Sequence, residues 1–173
     1  MHDFDVLWAG WRLDYVSGVA GESHPSVEPK GCVMCALASV EVPSPDNGVI
    51  WSSGLVTVAL NAYPYASGHL LILPNRHTAD LTTLEGDEPM DLFNACVDAV
   101  AAIGKSYAPD AVNFGANLGR AAGAGIPEHL HFHALPRWSG DTNFMTSIAG
   151  TRVIPEALNV SWAKLHDAWP AKA

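Results

Sequence analysis

Positive charge is scarce in this chain: nine Lys and Arg stand against eighteen Asp and Glu, and the formal net charge is −9 at pH 7. A protein that holds nucleic acid non-specifically gains affinity by neutralising phosphates and carries the opposite sign, so a nucleic-acid partner is excluded. A small phosphorylated ligand needs only local positive charge and oriented backbone N–H groups, and stays open. No run of eighteen apolar residues occurs, so no membrane-spanning helix is expected. Residues 1–11 carry His2, Asp3 and Asp5 and lack a basic start before an apolar run. They do not read as a secretory signal, and the expected location is cytoplasmic. Three cysteines are too few, and odd in number, for a disulfide framework. Charged residues reach only 16% while apolar ones reach 49%, which argues against disorder and supports one domain with its own core.

No internal repeat or low-complexity segment interrupts the sequence. Residues 1–31 form a first unit. An aromatic arm with Leu7, Trp8, Trp11 and Tyr15 leads into a stretch from 17 onward that is rich in Gly, Pro and Ser and reads as a loop. The arm is too aromatic for a free tail and is expected to pack on the domain or on a second subunit. Residues 32–150 hold the motifs, and 151–173 form a C-terminal extension. Asn47-Gly48 ends a turn-like stretch and is a hairpin signal. Strands are expected at 49–52, 55–60 and 68–73, the last closed by Pro74, and again at 111–118 and 129–135, stopped by Pro136. Residues 78–84 suit one helical turn. The clearest helix is 88–107, with Asp87 as a cap candidate and Pro89 in its first turn. Leu92, Phe93, Cys96, Val97, Val100 and Ile103 recur at helical spacing as its expected core face. A short helix is expected within 155–169, with Leu158, Trp162, Leu165 and Trp169 as its apolar stripe. Antiparallel strands with few helices between them make an α+β fold.

The densest chemistry is His129-Leu130-His131-Phe132-His133. Alternate side chains of a strand share a face, so the three imidazoles line up roughly 6–7 Å apart while Leu130, Phe132 and Ala134 face a core. Three readings are open. The face is polar and happens to be histidine; or the three rings hold a metal; or one imidazole is a nucleophile whose neighbours fix its tautomer and proton flow. Clustering three titratable rings is costly without a purpose, which favours the third. The glycine-rich stretch 119–127 would let backbone N–H groups approach an anion, although ordinary turns use the same residues. Arg120 and Arg137 are candidates for local positive charge. Cys32 and Cys35 suit tetrahedral zinc, a redox pair or two buried thiols, and no thioredoxin-like strand–helix unit surrounds them. Cys96 reads as core, His24 and His166 as surface, His2 as a frayed end, and Trp138 as a base-stacking or a packing residue.

The pattern His-φ-His-φ-His-φ-φ, with φ apolar, resembles the signature of the histidine-triad family. Residues 61–74, 117–125 and 128–145 fit that family in order and spacing. Together with Leu7-Trp8 and Trp11-Arg12, they resemble its branch of bacterial diadenosine tetraphosphate phosphorylases over residues 7–150. The resemblance implies an antiparallel sheet of about five strands, one long helix and a short C-terminal helix, closed by pairing into a homodimer. It implies that His131 attacks the α-phosphorus of a dinucleoside polyphosphate and carries the nucleoside monophosphate covalently. His133 would contact phosphate oxygens and help proton movement to the leaving group, and His69 would support the nucleophile. Asn61 matches a ribose contact and Asn117 a contact near the α-phosphate; Gly123 and Gly125 would offer backbone N–H groups to phosphate. The resemblance further implies a structural zinc held by Cys32, Cys35, His77 and His129, no organic cofactor, and inorganic phosphate or water as the acceptor that resolves the adduct. A neutral imidazole attacking phosphorus needs an acceptor for its other N–H, and a backbone carbonyl can serve.

One stretch departs from the family pattern. Where many members carry Gly-Gln-Ser/Thr, this chain has Gly123-Ala124-Gly125-Ile126-Pro127, with one residue more before His129. Polar side-chain contacts to phosphate are lost there, which favours the phosphorylase-like branch. The expected function is phosphorolytic nucleotidyl transfer. A hydrolase, a nucleoside phosphoramidase and a nucleotide-binding module without turnover are its rivals. The roles of Asn143 and Phe144 do not follow from their chemistry.

Overall fold

The computed structural model describes residues 31–141 and 156–170. The aromatic arm, His2, His24, Asn143 and Phe144 lie outside the described residues. Five strands form one sheet: β1 (Val49–Ser52), β2 (Val56–Leu60), β3 (Leu70–Pro74), β4 (Ala111–Ala116) and β5 (Phe132–Arg137). Their order is β1-β2-β3-β5-β4, and every neighbouring pair is antiparallel. Three α-helices accompany it: α1 (Val33–Ala38), α2 (Glu88–Tyr107) and α3 (Leu158–Ala168). This is the expected α+β arrangement, with α1 as an addition that the sequence reading did not place. None of the described helices is long and apolar enough to cross a membrane.

Strand β3 is buried at every position because its two faces meet two different cores. Leu70 and Ile72 join Val56, Val58 and Ala134 in the main core, under α2. Leu71 and Leu73 pack with Cys32 and Met34 of the α1 region on the opposite side. Alternation with period two therefore sorts β3 into a structural face and a face that belongs to the site. Strand β5 begins at Phe132, three residues later than expected, and runs through Pro136 to Arg137. Its pairing with β3 ends at Leu70 opposite Ala134, and Pro136 lies opposite Val112 of β4. The missing proline N–H thus removes no bond to β3.

Helix α2 buries Leu92, Ala95, Cys96, Ala99, Ala102 and Ile103, and its alanines let the helix backbone approach the sheet closely. Phe93, Val97 and Val100, expected on the core face, stand instead on the outer face with Met90. The sequence satisfies helical spacing twice, on two faces, and spacing alone does not say which one is inside. Asp87 makes no side-chain cap. The Glu88 side chain ties the approach to the helix instead: its Oε2 accepts the Glu85 N–H at 2.9 Å, and its two oxygens bind Arg76 Nε and Nη2 at 2.8 and 2.7 Å. The Arg76 guanidinium holds the Glu88 carboxyl down to about 2. This pair fastens the segment after β3, which carries His77, to the start of α2.

Asn47-Gly48 does not form a two-residue hairpin. Asn47 Oδ1 accepts from the Ser44 and Val49 N–H groups at 3.1 and 3.0 Å, and Gly48 takes φ +73°, so the pair leads the chain into β1. The β1–β2 turn lies at 53–55, where Ser53 N–H donates to the Val56 carbonyl. At the other end of the chain, α3 buries Ser161, Leu165 and Ala168. Trp162 Nε1 donates to the Val49 carbonyl at 2.7 Å, and Trp169 stacks on Trp51. Leu158, expected in the stripe, is exposed.

Candidate active site and metal centre

Leu130, Phe132 and Ala134 turn to the main core, and the three histidines between them turn away from it. They then part company. His131 and His133 lie edge to face with ring centroids 5.0 Å apart, whereas the His129 ring meets His77 at 5.2 Å. His131 Nδ1 is 2.8 Å from the backbone oxygen of His129. A carbonyl only accepts, so Nδ1 carries the proton and Nε2 keeps its lone pair. The tautomer of the ring that the sequence singles out is thus fixed, with Nε2 as the nitrogen left for an electrophile.

A second chain of bonds fixes His133. The Tyr65 backbone N–H donates to His69 Nδ1 at 3.1 Å, and Asn61 Nδ2 lies 3.3 Å from the same nitrogen. Both are donors, so Nδ1 of His69 is an acceptor and its proton sits on Nε2. That Nε2 is 2.9 Å from His133 Nδ1, which must accept, leaving the His133 proton on Nε2. The register explains the meeting: Leu71 pairs with His133, and His69 lies two residues earlier on the same face. Burial, reinforced by the neighbouring His131, lowers the His133 pKa to about 4. His69 therefore stands behind His133, and the support expected from it for His131 is supplied by the His129 carbonyl. Tyr65, which the sequence reading passed over, also stacks on His133 with ring centroids 6.1 Å apart.

Cys32, at the N-cap of α1, and Cys35, in its first turn, face His77 and His129; one ligand atom from each lies within 4.8 Å of all the others. The Cys32–His129, Cys35–His129 and Cys35–His77 sulfur-to-Nδ1 distances are 3.5, 3.5 and 3.2 Å. A tetrahedron with Zn–S of ~2.3 Å and Zn–N of ~2.05 Å has S···N edges of about 3.5 Å, so the donor set fits zinc in both chemistry and spacing. His129 Nε2 lies 2.8 Å from the Pro74 oxygen and donates to it, which leaves Nδ1 as the ligating atom. Burial, above all, lowers the His129 pKa, and a neutral ring is what a metal ligand requires. Four protein ligands make a closed, structural type of centre.

The glycine-rich loop is folded on itself. Gly119 and Gly123 take φ +83° and +94°, and the Gly123 N–H donates to the Arg120 carbonyl at 2.8 Å. Asn117 Nδ2 donates to the Gly123 carbonyl at 3.4 Å and so braces the loop. Ile126 packs into the small core beside Cys32, Met34 and Leu71. The stretch that departs from the expected family pattern thus packs, through Ile126, beside Cys32. The cationic candidates are engaged: Arg120 pairs with Glu128 at 3.1 Å, and Arg137 binds Asp141 and Asn113. Trp138 lies edge-on to Tyr107.

Comparison with known proteins agrees with this geometry. The HIT domain model matches residues 43–140. The chain belongs to the histidine-triad family. The AP-4-A phosphorylase of Mycobacterium tuberculosis (strain H37Rv) is 36% identical to this histidine-triad chain over 166 residues, covering 94% of the chain and 83% of that protein, which assigns the chain to that branch. A Zn-bound histidine triad family protein from Mycobacterium smegmatis superposes with a TM-score of 0.64 at 27% identity, covering 82% of this chain and 94% of that one. A hypothetical histidine triad nucleotide-binding protein from Sulfolobus tokodaii shares the fold, with a TM-score of 0.63 at 22% identity over 79% of this chain and 91% of that one. Backbone groups that no residue pattern singles out orient the rings of this histidine-triad chain: the His129 and Pro74 carbonyls and the Tyr65 N–H.

Proposed function

We propose that the protein is a nucleotidyl transferase that cleaves dinucleoside polyphosphates, of the diadenosine tetraphosphate kind, by phosphorolysis through a nucleoside-monophosphate adduct on His131. The bond from His131 Nδ1–H to the His129 carbonyl carries the reading, because it fixes the tautomer in which Nε2 holds the nucleophilic lone pair. The relative named AP-4-A phosphorylase supports the substrate class. In the first step the Nε2 lone pair forms a bond to the α-phosphorus, and the P–O bond to the nucleoside polyphosphate breaks, its electrons leaving with oxygen. In the second, an oxygen of inorganic phosphate forms a bond to that phosphorus and the P–N bond breaks, restoring the lone pair and yielding a nucleoside diphosphate. The N–H of Gly125 and the bracing of the loop by Asn117 serve the phosphate side, and Asn61 serves the ribose side as well as His69.

His133 bears on the choice of leaving group. Protonating its Nδ1 would require His69 Nε2 to accept, while His69 Nδ1 already accepts from Tyr65 and lies beside Asn61 Nδ2. A neutral imidazole cannot accept at both nitrogens. His133 therefore donates a hydrogen bond from a neutral ring and is a poor proton donor. A departing polyphosphate is already a stable anion and needs only that hydrogen bond, whereas a departing amine needs a full proton. This disfavours the phosphoramidase rival. Zinc held by Cys32, Cys35, His77 and His129 contributes order to the fold, and the reacting atoms belong to the histidines.

We also infer that the protein works as a homodimer. Met90, Phe93, Val97 and Val100 form one apolar stripe on the outer face of α2, exposed by 64, 62, 53 and 36%, and β4 is an edge strand. Mixing the protein with diadenosine tetraphosphate and phosphate tests the reaction. ADP plus ATP is the expected outcome; AMP plus ATP would instead identify water as the acceptor, and no cleavage would leave a nucleotide-binding module.

A further inference from the structure

Behind the His69–His133 pair lies a cluster that the reaction above does not use. Tyr107 closes α2, and its hydroxyl donates to Glu156 Oε1 at 2.6 Å. Ser161, buried on α3, donates to the same oxygen at 2.7 Å, and Lys164 Nζ pairs with the other carboxylate oxygen. Lys164 Nζ also lies over the Tyr107 ring, 5.3 Å from its centroid, and Ser106 Oγ donates to the Lys164 carbonyl at 2.9 Å. Burial, and next the bond to Glu156, raise the phenol well above its ordinary range, so it stays protonated and acts as an anchored ring.

The ring presses on the residue before His69. A Cβ at Gly68 would stand 2.5 Å from Tyr107 Cε2 and 2.9 Å from Cζ, closer than any real side chain could come. Gly68 also takes φ +77°, a backbone conformation costly for other residues. Trp138, which directly follows β5, lies edge-on to the same ring with centroids 6.1 Å apart. One aromatic ring therefore meets the chain just before His69 and just after the strand that delivers His133. Its clamp comes from Glu156, Ser161 and Lys164, all beyond the 43–140 segment that the family model matches.

We propose that Tyr107, clamped by Glu156 at the start of the C-terminal helix, is a positioning residue that holds His69 in line with His133. The inference rests on the reaction proposed above, because only there does the His69–His133 bond matter for rate. An orienting bond displaced by a fraction of an ångström lowers turnover without changing substrate affinity.

The test compares the zinc-loaded full chain with Tyr107→Leu, Tyr107→Phe and Glu156→Gln. One readout is kcat and KM for diadenosine tetraphosphate phosphorolysis. The other, free of substrate, is the NMR signal of the His69 Nε2 proton shared with His133. Tyr107→Leu is expected to lower kcat about tenfold or more with KM within about twofold, and to broaden or abolish the shared-proton signal. Tyr107→Phe keeps the ring on Gly68 but loses the bond to Glu156, so it should recover only part of the rate. Glu156→Gln loses the charge paired with Lys164 while keeping an acceptor oxygen, so it should lie between Tyr107→Phe and wild type, and it serves in place of Tyr107→Leu should that variant not fold. A folded Tyr107→Leu, or failing that Glu156→Gln, with wild-type kcat and an unchanged His69 signal overturns the proposal. If wild type shows no phosphorolysis while the variants still lose the signal, the reaction is refuted and the positioning stands.

Discussion

A proton arriving at His133 has nowhere to go but Nδ1, which already accepts from His69, and behind His69 stands the Tyr65 N–H that cannot change its role. The chain of fixed donors explains in geometry what burial explains in energy, namely a His133 pKa near 4 against an ordinary value of 6.5. The sign of the pH dependence follows. The unfolded chain takes up this proton as pH drops through 6.5 and the native one only near 4, so stability from His133 is complete above 6.5 and is lost between 6.5 and 4. At about 1.4 kcal/mol per pKa unit the loss is at most about 3 kcal/mol. Denaturant unfolding at pH 7.5 and 4.5 should show it, and His133→Gln should flatten that part of the profile. An unchanged slope in the variant would mean that another group sets the acid limit. Glu88 carries a similar acid-side contribution at lower pH: its carboxyl is held at about 2 against 4.5, so its stabilisation is present above 4.5 and lost as pH falls toward 2.

At the level of elements, His129 serves two clusters: its ring faces Cys32, Cys35 and His77, and its carbonyl orients His131. The short helix α1 adds Cys32 and Cys35, β3 ends beside His77, and Ile126 of the glycine-rich loop packs on the same small core. Loss of zinc should therefore loosen the acceptor behind the nucleophile and the loop together. Cys35→Ser is expected to bind little zinc, to melt roughly 5–10 °C lower, and to lose more in kcat than it changes in KM. Metal content, melting and kinetics measured on one preparation check this; wild-type kcat in a zinc-free variant would uncouple the centre from His131. Element-level signals were also where sequence reading succeeded and failed for identifiable reasons. The five strands and the 88–107 helix were legible because alternation and helical spacing are local. The ligand set Cys32, Cys35, His77 and His129, inferred from family resemblance, does come together in space. The inner face of α2 was misassigned because Phe93, Val97 and Val100 follow the same spacing as Leu92, Cys96 and Ile103. Asn47-Gly48 misled because an Asn that receives two backbone N–H groups resembles a hairpin turn in sequence. The partner of His69 depends on strand register, which no residue type announces, and the carbonyl that orients His131 depends on the local backbone between His129 and His131.

For the molecule as a whole, the apolar stripe on the outer face of α2 is left for water to solvate poorly, and β4 is an edge strand. Phe93→Asp places a charge in the middle of that stripe. It should shift the protein from dimer to monomer in sedimentation velocity at micromolar concentration without unfolding it, and a wild type that sediments as a monomer would contradict the homodimer. With a net charge of −9 at neutral pH, the general field of the protein does not attract a polyphosphate, and the proposed reaction calls for oriented N–H groups and the rings of the site to hold it. The chemistry rests on one atom, Nε2 of His131, left as the lone-pair nitrogen of the neutral tautomer by a carbonyl 2.8 Å from Nδ1. The most direct measurement is mass spectrometry of the protein quenched during turnover of diadenosine tetraphosphate in the absence of phosphate. The account predicts an acid-labile gain of one adenosine monophosphate on the peptide containing His131, absent from His131→Ala. Turnover with no adduct there, or an adduct that persists in His131→Ala, would contradict it.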